Sequence, residues 1–203
     1  MSRTQELVML ERRRLLRATL AGAALAALGG MTFVPRLFAR DHGAAAGPDA
    51  AGMVTLQCFA DDGRALGPCK VRRLVLGEAE WRRRLSPAAY YVMREDGTER
   101  AFSGEHEKPD RPGLFRCPGC ATALFDAATE FDSGTGWPSF WQPIAAANVI
   151  EKRDATFGMV RTEIRCAGCD SHLGHVFDDG PRPTGLRYCM NSVALRFVPR
   201  SAA

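Results

Sequence analysis

Two cysteine pairs in the second half of the chain have the spacing of a metal site. Cys117-Pro118-Gly119-Cys120 and Cys166-Ala167-Gly168-Cys169 are both Cys-x-x-Cys motifs with glycine before the second cysteine. Such spacing closes a tight turn that presents two sulfurs to one ion, and glycine tolerates the positive φ and close backbone approach that the turn needs. Four thiolates suit zinc, with iron as the redox-active alternative and paired disulfides as the other. We predict one structural zinc ion, held at the tips of two hairpins by Cys117, Cys120, Cys166 and Cys169.

Cys189 is the remaining cysteine with chemically useful neighbours. In a strand over 186–197, side-chain alternation places Arg187, Cys189 and Asn191 on one face. An arginine beside a thiol lowers the thiol pKa and raises the fraction of thiolate, which is the nucleophilic form. A cysteine buried in a core strand is the alternative, and the strand alone does not decide between the two.

Two histidines and an aromatic loop complete the candidate site. His172 and His175 follow the second cysteine pair, and a turn or bulge at Gly174 would bring both imidazoles to one place near a thiol. Residues 131–141 form a glycine-rich loop with two tryptophans, among them Trp137, which can wall a pocket for a small apolar group. A structural histidine pair and aromatics that only pack are the alternatives.

Short strands must position these residues. From residue 90 onward, runs of Val, Ile, Thr, Phe and Tyr alternate with Gly, Pro and Asp turns, which predicts a mainly β domain of antiparallel strands over 81–198. An amino-terminal arm over 53–80 precedes this domain. The arm is expected to contain a hairpin of strands 53–59 and 69–76.

One short helix is expected at the junction of arm and domain. It runs over 78–85, where Trp81 and Leu85 share a face, and Ser86-Pro87 is expected to end it.

Residues 1–46 have the layout of an export signal followed by a spacer. Arg12-Arg13-Arg14-Leu15-Leu16-Arg17 resembles the twin-arginine motif and precedes an apolar stretch over 18–31. That stretch is too short and too rich in Ala and Gly to predict a membrane span. We expect a twin-arginine translocase to export the folded, metal-loaded protein to the periplasm, with an uncleaved membrane anchor as the alternative.

Composition and charge narrow the class of protein and the kind of partner that this chain can have. Hydrophobic residues make up 46% and charged residues 25% of the 203-residue chain, which is typical of a globular protein. The net charge is +4, but residues 1–40 carry seven arginines against two glutamates, so the rest of the chain is at −1. A nearly neutral domain has no basic face for a phosphate backbone, so we expect no nucleic-acid partner. We expect a monomer.

These motifs together resemble the B-type methionine sulfoxide reductases, a family that acts on the R epimer of the sulfoxide. The resemblance runs from about Trp81 to Phe197. It rests on 97–99, 102–104, both cysteine pairs, 133–140, 172–181 and 187–192. It implies two small antiparallel sheets in a β-tent or small β-barrel-like arrangement, with short helices and a structural zinc bound by four cysteines.

The resemblance also implies roles for individual residues. Cys189 stands in the place of the nucleophile, and Trp137 would hold the methyl group of the substrate, with Arg187 beside it in the substrate site. His172, His175 and Asn191 would organise water and protons around the sulfoxide oxygen. The expected reaction is attack of the Cys189 thiolate on methionine sulfoxide, free or in proteins, which leaves a sulfenic acid on the enzyme.

Recycling of Cys189 is where the sequence departs from a common pattern of that family. Many relatives carry a resolving cysteine where this chain has Thr135. Cys69 or Cys58 on the arm is the predicted resolving thiol, or a thioredoxin-like donor supplies the electrons. A bond between Cys58 and Cys69 is the alternative. A two-residue turn at Asp62-Gly63 disfavours it, because Cys58 would then face Gly67.

Two other function classes use the same residues. A zinc-ribbon-like binding module without catalysis would carry Cys189 as a buried side chain, and Cys189→Ser would leave its function intact. An iron-bearing electron carrier would reveal itself by colour and metal content. Consumption of a sulfoxide separates the reductase from both.

Overall fold

Eleven short strands account for most of the regular structure in the part of the chain that is described. The structure is a computed structural model and describes residues 52–104, 112–155 and 160–200. Runs of β-branched and aromatic residues form antiparallel strands, joined by turns rich in Gly, Pro and Asp. The prediction of a mainly β fold with small antiparallel sheets and short helices is confirmed.

A six-stranded antiparallel sheet carries the candidate catalytic residues. Its strands are β5 Glu130–Phe131, β6 Ser139–Phe140, β7 Val149–Asp154, β8 Arg161–Cys166, β9 His172–Phe177 and β10 Arg187–Met190. They lie in the order β5-β6-β10-β9-β8-β7. Since β9 and β10 are neighbours in the middle of the sheet, the predicted histidines and the predicted nucleophile lie on adjacent strands.

A three-stranded antiparallel sheet packs against the first through aromatic rings. Its strands are β3 Gly113–Arg116, β4 Ala123–Asp126 and β11 Arg196–Pro199, in the order β11-β3-β4. Phe125 stacks on Phe140 with ring centroids 4.3 Å apart, and Phe115 meets Phe140 edge to face at 5.1 Å. All three rings are fully buried, so they form the core between the two sheets.

Two short helices precede β3. The first, α1 Glu78–Arg84, agrees with the predicted helix. The second, α2 Pro87–Arg94, was not predicted, because Ser86-Pro87 was interpreted only as a stop. Ser86 caps α2 by accepting a hydrogen bond from the Ala89 N–H, and proline is favoured in the first turn of a helix, where its missing N–H has no partner to lose.

The amino-terminal arm forms the predicted hairpin, but the residue bounds of its second strand differ from those predicted. Strands β1 Met53–Phe59 and β2 Ala65–Arg72 pair antiparallel, so β2 begins and ends four residues before the predicted bounds. The arm is fastened to the domain by Asn148, which is fully buried. Its side chain accepts from the Gln57 N–H and donates to the Gln57 and Ala123 carbonyls, each at 2.8 Å.

The export signal and spacer predicted over 1–46 lie outside the described residues. Among the residues that are described, neither helix has the length and apolar character needed to span a bilayer.

Candidate active site and metal centre

The four cysteines of the two Cys-x-x-Cys motifs meet in one cluster. Cys117 and Cys120 lie in the turn between β3 and β4, and Cys166 and Cys169 in the turn between β8 and β9, as the prediction of two hairpin tips requires. All four Sγ atoms lie within 4.8 Å of one another. The Sγ atoms of Cys117 and Cys169 are 3.6 Å apart, and those of Cys120 and Cys166 are 3.4 Å apart.

The cluster has the dimensions and the donor set for one metal ion. A tetrahedral zinc ion with bonds of about 2.3 Å holds its sulfurs about 3.8 Å apart, close to the distances found here. Three of the four thiols are buried. Four sulfurs leave no ligand position for a substrate, so an ion in this cluster would be structural.

The two motif glycines matter because they lack a side chain, and not because they adopt a positive φ. A side chain at Gly119 would lie 3.1 Å from the Trp81 ring, and one at Gly168 would lie 3.0 Å from a cluster sulfur. The positive φ angles belong instead to Ala121, at 63°, and Asp170, at 56°, each directly after a second cysteine. The predicted need for close approach is therefore confirmed, and the predicted positive φ at the glycines is wrong.

Cys189 lies in the middle of the large sheet and is partly buried. On β10 it is directly opposite His175 of β9 on one side and Ser139 of β6 on the other. Side chains directly opposite in an antiparallel pair have Cβ atoms about 4.5–5.5 Å apart. The sheet register therefore holds an imidazole next to the candidate nucleophile.

A cavity of about 130 Å³ opens onto Cys189. Four predicted site residues line it, namely Trp137, His175, Cys189 and Asn191. Thr98, Arg161 and Phe177 contribute to its wall. The lining thus combines aromatic rings with a thiol and an imidazole.

Burial of Cys189 acts against its ionisation. Loss of solvent raises the pKa of the Cys189 thiol above its ordinary value, while the charge of Arg187 and a hydrogen bond from the Thr135 hydroxyl lower it to a smaller extent. The predicted influence of Arg187 is present, but it does not dominate. The resting side chain is a thiol that needs a base.

A bulge brings the two histidines together, as predicted. The pairing of β8 with β9 shifts by one residue, so that Gly174 lies opposite Ile164 and His172 lies opposite Arg165. The two imidazole centroids are 5.4 Å apart. Glycine is required at 174 because a side chain there would collide with the backbone of β10.

Each histidine is paired with a carboxylate that is itself paired with an arginine. Nε2 of His175 lies 2.9 Å from Asp154, which accepts from Arg161 at 2.7 Å. Nδ1 of His172 lies 2.7 Å from Glu163, which accepts from Arg165 at 2.6 Å. The set that contains His175 spans β9, β7 and β8, and the set that contains His172 spans β9 and β8.

The two histidines differ in their access to the cavity. His175 lines it, and burial lowers the pKa of His175, with the hydrogen bond to Asp154 acting in the opposite direction. His172 is 2% exposed, lies outside the cavity lining, and its Nε2 has no hydrogen-bond partner among the described residues. Of the two imidazoles, only that of His175 lines the cavity, and the His172 ring contacts it from outside the lining.

Asn191 and Trp137 fasten one wall of the cavity. The Asn191 side chain accepts from the Glu99 N–H at 3.0 Å and donates to the Leu173 carbonyl at 3.0 Å. Trp137 donates from its indole nitrogen to the Glu99 carbonyl at 3.2 Å. Asn191 therefore links the backbone at Glu99 to the backbone at Leu173.

Arg187 does not line the cavity. It forms a two-pronged ion pair with Asp179, with both distances 2.8 Å, and its guanidinium lies 4.5 Å from the centroid of the Phe177 ring. Since Phe177 is part of the cavity wall, Arg187 acts on the site through this ring and through its charge near Cys189. Arg187 thus lies beside Cys189 but outside the set of residues that line this cavity.

The arm cysteines are bonded to each other. Cys58 and Cys69 form a disulfide, with Cα atoms 5.9 Å apart. The register predicted for Cys58, opposite Gly67, is confirmed, and Cys69 lies opposite Leu56. The bond therefore runs diagonally across the hairpin, which the prediction against it did not consider. Because neither is a free thiol, the prediction that Cys69 or Cys58 resolves Cys189 disagrees with the structure.

Several residues of the site were not predicted. Asp154, Arg161 and Glu163 belong to strands without a distinctive motif, and only the pairing of β7 and β8 with β9 brings them to the histidines. Glu99 was noted in the sequence without a role. Its carboxylate accepts hydrogen bonds from the backbone N–H groups of Ser192 and Val193 and from the Ser192 hydroxyl, just after the nucleophile strand.

Known proteins match most of this domain. The SelR domain family matches residues 85–199. A protein of Bradyrhizobium diazoefficiens named "Peptide methionine sulfoxide reductase MsrB" is 55% identical over 128 residues, which cover 63% of this chain and 92% of that protein. Proteins of the same name from Pseudomonas syringae pv. syringae and Thiobacillus denitrificans are 57% and 55% identical over 122 and 123 residues, which cover 60% and 61% of this chain and 93% of each.

Proposed function

Since the chain belongs to the SelR domain family and is a peptide-methionine sulfoxide reductase, we propose that it reduces the R epimer of methionine sulfoxide by means of Cys189. The observation that carries the proposal is that Cys189 of β10 and His175 of β9 lie opposite each other and line one small cavity, while Asp154 of β7 is hydrogen-bonded to His175. A nucleophile, a base next to it and a carboxylate that orients the base form the arrangement that activates a weak nucleophile.

His175 removes the proton of the Cys189 thiol. Its Nε2–H donates to Asp154, which leaves Nδ1 as the basic nitrogen. Burial lowers the pKa of His175, so the imidazole is neutral at neutral pH and ready to accept a proton. The imidazolium that forms is stabilised by the Asp154 carboxylate.

The proton that His175 has taken up is then transferred to the substrate. The Cys189 thiolate attacks the sulfoxide sulfur, and the imidazolium of His175 protonates the sulfoxide oxygen, which is a poor leaving group without a proton. The hydroxyl then passes from the methionine sulfur to the Cys189 sulfur as the transient bond between the two sulfurs breaks, which leaves a sulfenic acid on Cys189 and releases the substrate as a thioether. Two electrons pass from the cysteine sulfur to the methionine sulfur. Trp137 supplies the apolar wall that takes the substrate methyl group.

An external dithiol completes the cycle. One donor thiol condenses with the sulfenic acid of Cys189 to give a mixed disulfide and water, and the second donor thiol then releases Cys189 as a thiol. The Cys58–Cys69 disulfide supports an external donor, because its two sulfurs are already oxidised. A thioredoxin-like protein has the required chemistry.

The metal centre has a supporting role. Cys117, Cys120, Cys166 and Cys169 would hold one zinc ion, which supplies a cross-link between the two sheets. His172 lies three residues after Cys169, so the cross-link would fix the start of β9.

Export to the periplasm belongs to the same proposal. The arm disulfide supports it, because disulfides persist in oxidising compartments. Replacing residues 1–46 by a leader that exports unfolded chain would expose four thiolates to oxidation before metal binds. We expect less zinc per protein from that leader, and equal zinc would contradict passage through the twin-arginine translocase.

Turnover of separated epimers tests the proposal. With dithiothreitol as reductant, we expect the wild type to reduce the R epimer and not the S epimer, and Cys189→Ser to abolish turnover, a loss of at least about 1,000-fold. Cys189→Ser should keep the metal and the fold, which metal analysis and circular dichroism would check. Equal turnover of both epimers, or an active Cys189→Ser variant, would contradict the assignment.

A further inference from the structure

Two exposed apolar side chains belong to segments that adjoin the proposed catalytic cavity. Six large hydrophobic side chains are exposed in the described part of the chain, and the two most exposed are Phe102, at 79%, and Val160, at 65%. Val160 directly precedes Arg161, which lines the cavity. The Phe102 backbone N–H donates to the carbonyl of Gly136, the residue before Trp137, at 2.8 Å. Val160 is therefore the chain neighbour of one residue of the cavity wall, and Phe102 is hydrogen-bonded to the chain neighbour of another.

The conformation of Phe102 is unusual as well as exposed. Its φ is +60°, a left-handed conformation that crowds the Cβ of any residue other than glycine. Its ring lies against Gly136, where an added side chain would collide with that ring. A bulky aromatic residue in a left-handed conformation, with four fifths of its surface in solvent, adds little to packing. Backbone strain of this kind clusters where a protein contacts a ligand.

We propose that Phe102, with Val160, is a contact surface for apolar side chains next to methionine sulfoxide in a polypeptide. The inference rests on the proposed function and adds to it a preference for apolar residues beside the sulfoxide in a polypeptide. Methionine is frequent in apolar cores and at apolar interaction surfaces, so a polypeptide often carries further apolar side chains close to it. An exposed aromatic ring beside the cavity would bury those neighbours while the sulfoxide enters.

Three substrates of increasing reach test the proposal. They are N-acetyl-methionine sulfoxide, a five-residue peptide with the sulfoxide between glycines, and the same peptide with the sulfoxide between leucines, all as R epimers with dithiothreitol. We expect kcat/KM of the wild type to be about tenfold higher for the leucine peptide than for the glycine peptide. Phe102→Ala should remove most of this preference, Val160→Ala a smaller part, and Phe102→Leu should retain more than Phe102→Ala.

Leu66→Ala is the matched control. Leu66 is also an exposed apolar residue, at 54%, but it lies on β2 of the arm and not next to the cavity wall. It should leave the leucine preference intact. Thermal unfolding of Phe102→Ala should match the wild type, since the ring contributes little to packing.

Three results would overturn the proposal. One is a wild type without preference between the two peptides. Another is an equal loss of kcat/KM in Phe102→Ala on all three substrates, which would mean that Phe102 positions Trp137. The third is a wild-type dimer that Phe102→Ala dissociates in sedimentation, since the ring would then face a second copy of the chain. Failure of the proposed function itself is distinct, because the wild type would then reduce none of the substrates.

Discussion

The two cysteine centres of this chain are assembled in different ways. In the metal centre, each pair of sulfurs lies within a single turn, and only the meeting of two turns is needed to complete the cluster. In the proposed catalytic centre, Cys189, His175 and Asp154 come from three strands, and Trp137 comes from a loop. The first centre depends on local spacing, whereas the second depends on the register of a whole sheet.

This difference separates stability from chemistry. The metal cluster is closed, and its sulfurs contact one another and the polypeptide. Cys189 faces a cavity, with a base next to it. Replacement of cysteine by serine should therefore abolish turnover at both centres, but should lower metal content and stability only at the metal cluster.

Loss of one metal ligand should have the largest effect. Cys120→Ser removes one of four sulfurs, and structural zinc contributes directly to folding free energy. We expect less than one zinc ion per chain, a melting temperature lower by more than about 10 °C, and loss of turnover together with loss of β structure. Metal analysis and thermal unfolding followed by circular dichroism would measure these.

Cys189→Ser is the matched control for that experiment. It should lose turnover but keep one metal ion per chain and the melting temperature of the wild type. A Cys120→Ser variant with full metal content and unchanged melting would show that the cluster is not a structural metal centre.

The same contrast explains how much the sequence could predict. Cys117, Cys120, Cys166 and Cys169 were found from spacing, because two residues between cysteines fix a turn whatever the rest of the fold does. The cluster in the structure agrees with that prediction. The mainly β fold was likewise predicted from local patterns of apolar residues and turn residues.

The catalytic environment was only partly predictable. Cys189, the histidines and Trp137 were identified, and the bulge at Gly174 was expected. Asp154 was not, because it reaches His175 only through the register of β7 on β8 and β8 on β9. The direction of the Cys189 pKa was also wrong, since strand alternation shows which charges are near but not how much solvent is lost.

Removal of the Asp154 charge should reduce turnover by an intermediate amount. Asp154→Asn keeps the shape but not the charge that stabilises the His175 imidazolium, so kcat/KM should fall by about 10- to 100-fold. The reactive state carries one proton shared by the thiol and the imidazole. The pH profile of kcat/KM for the wild type should therefore be bell-shaped. Its acid limb should lie below the ordinary histidine pKa, because burial lowers the pKa of His175. Its alkaline limb should lie above the ordinary thiol pKa, because burial raises the pKa of Cys189.

The pH at which the acid limb lies shows whether Asp154 acts on His175 through its charge or only through packing. Asp154 favours the protonated form of His175, so Asp154→Asn should lower the pKa of His175 further and move the acid limb to lower pH. Glu78→Gln, an exposed carboxylate on α1, is the control and should leave both limbs in place. An acid limb that stays fixed or moves upward in Asp154→Asn would remove Asp154 from the proposed proton path.

The arm disulfide should have the smallest effect on turnover. Cys58 and Cys69 share one bond that closes a loop with a sequence separation of 11, so each single serine variant and the double variant should lose the same stability, about 2–3 kcal/mol. Turnover with dithiothreitol or with a thioredoxin-like donor should stay within about twofold of the wild type in all three. If Cys69 were a resolving thiol, Cys69→Ser alone would lose thioredoxin-supported turnover while keeping turnover with dithiothreitol, and Cys58→Ser would not. If the two single variants have equal stability and turnover, the bond only stabilises the arm. If their turnover differs, the arm takes part in the chemistry of Cys189.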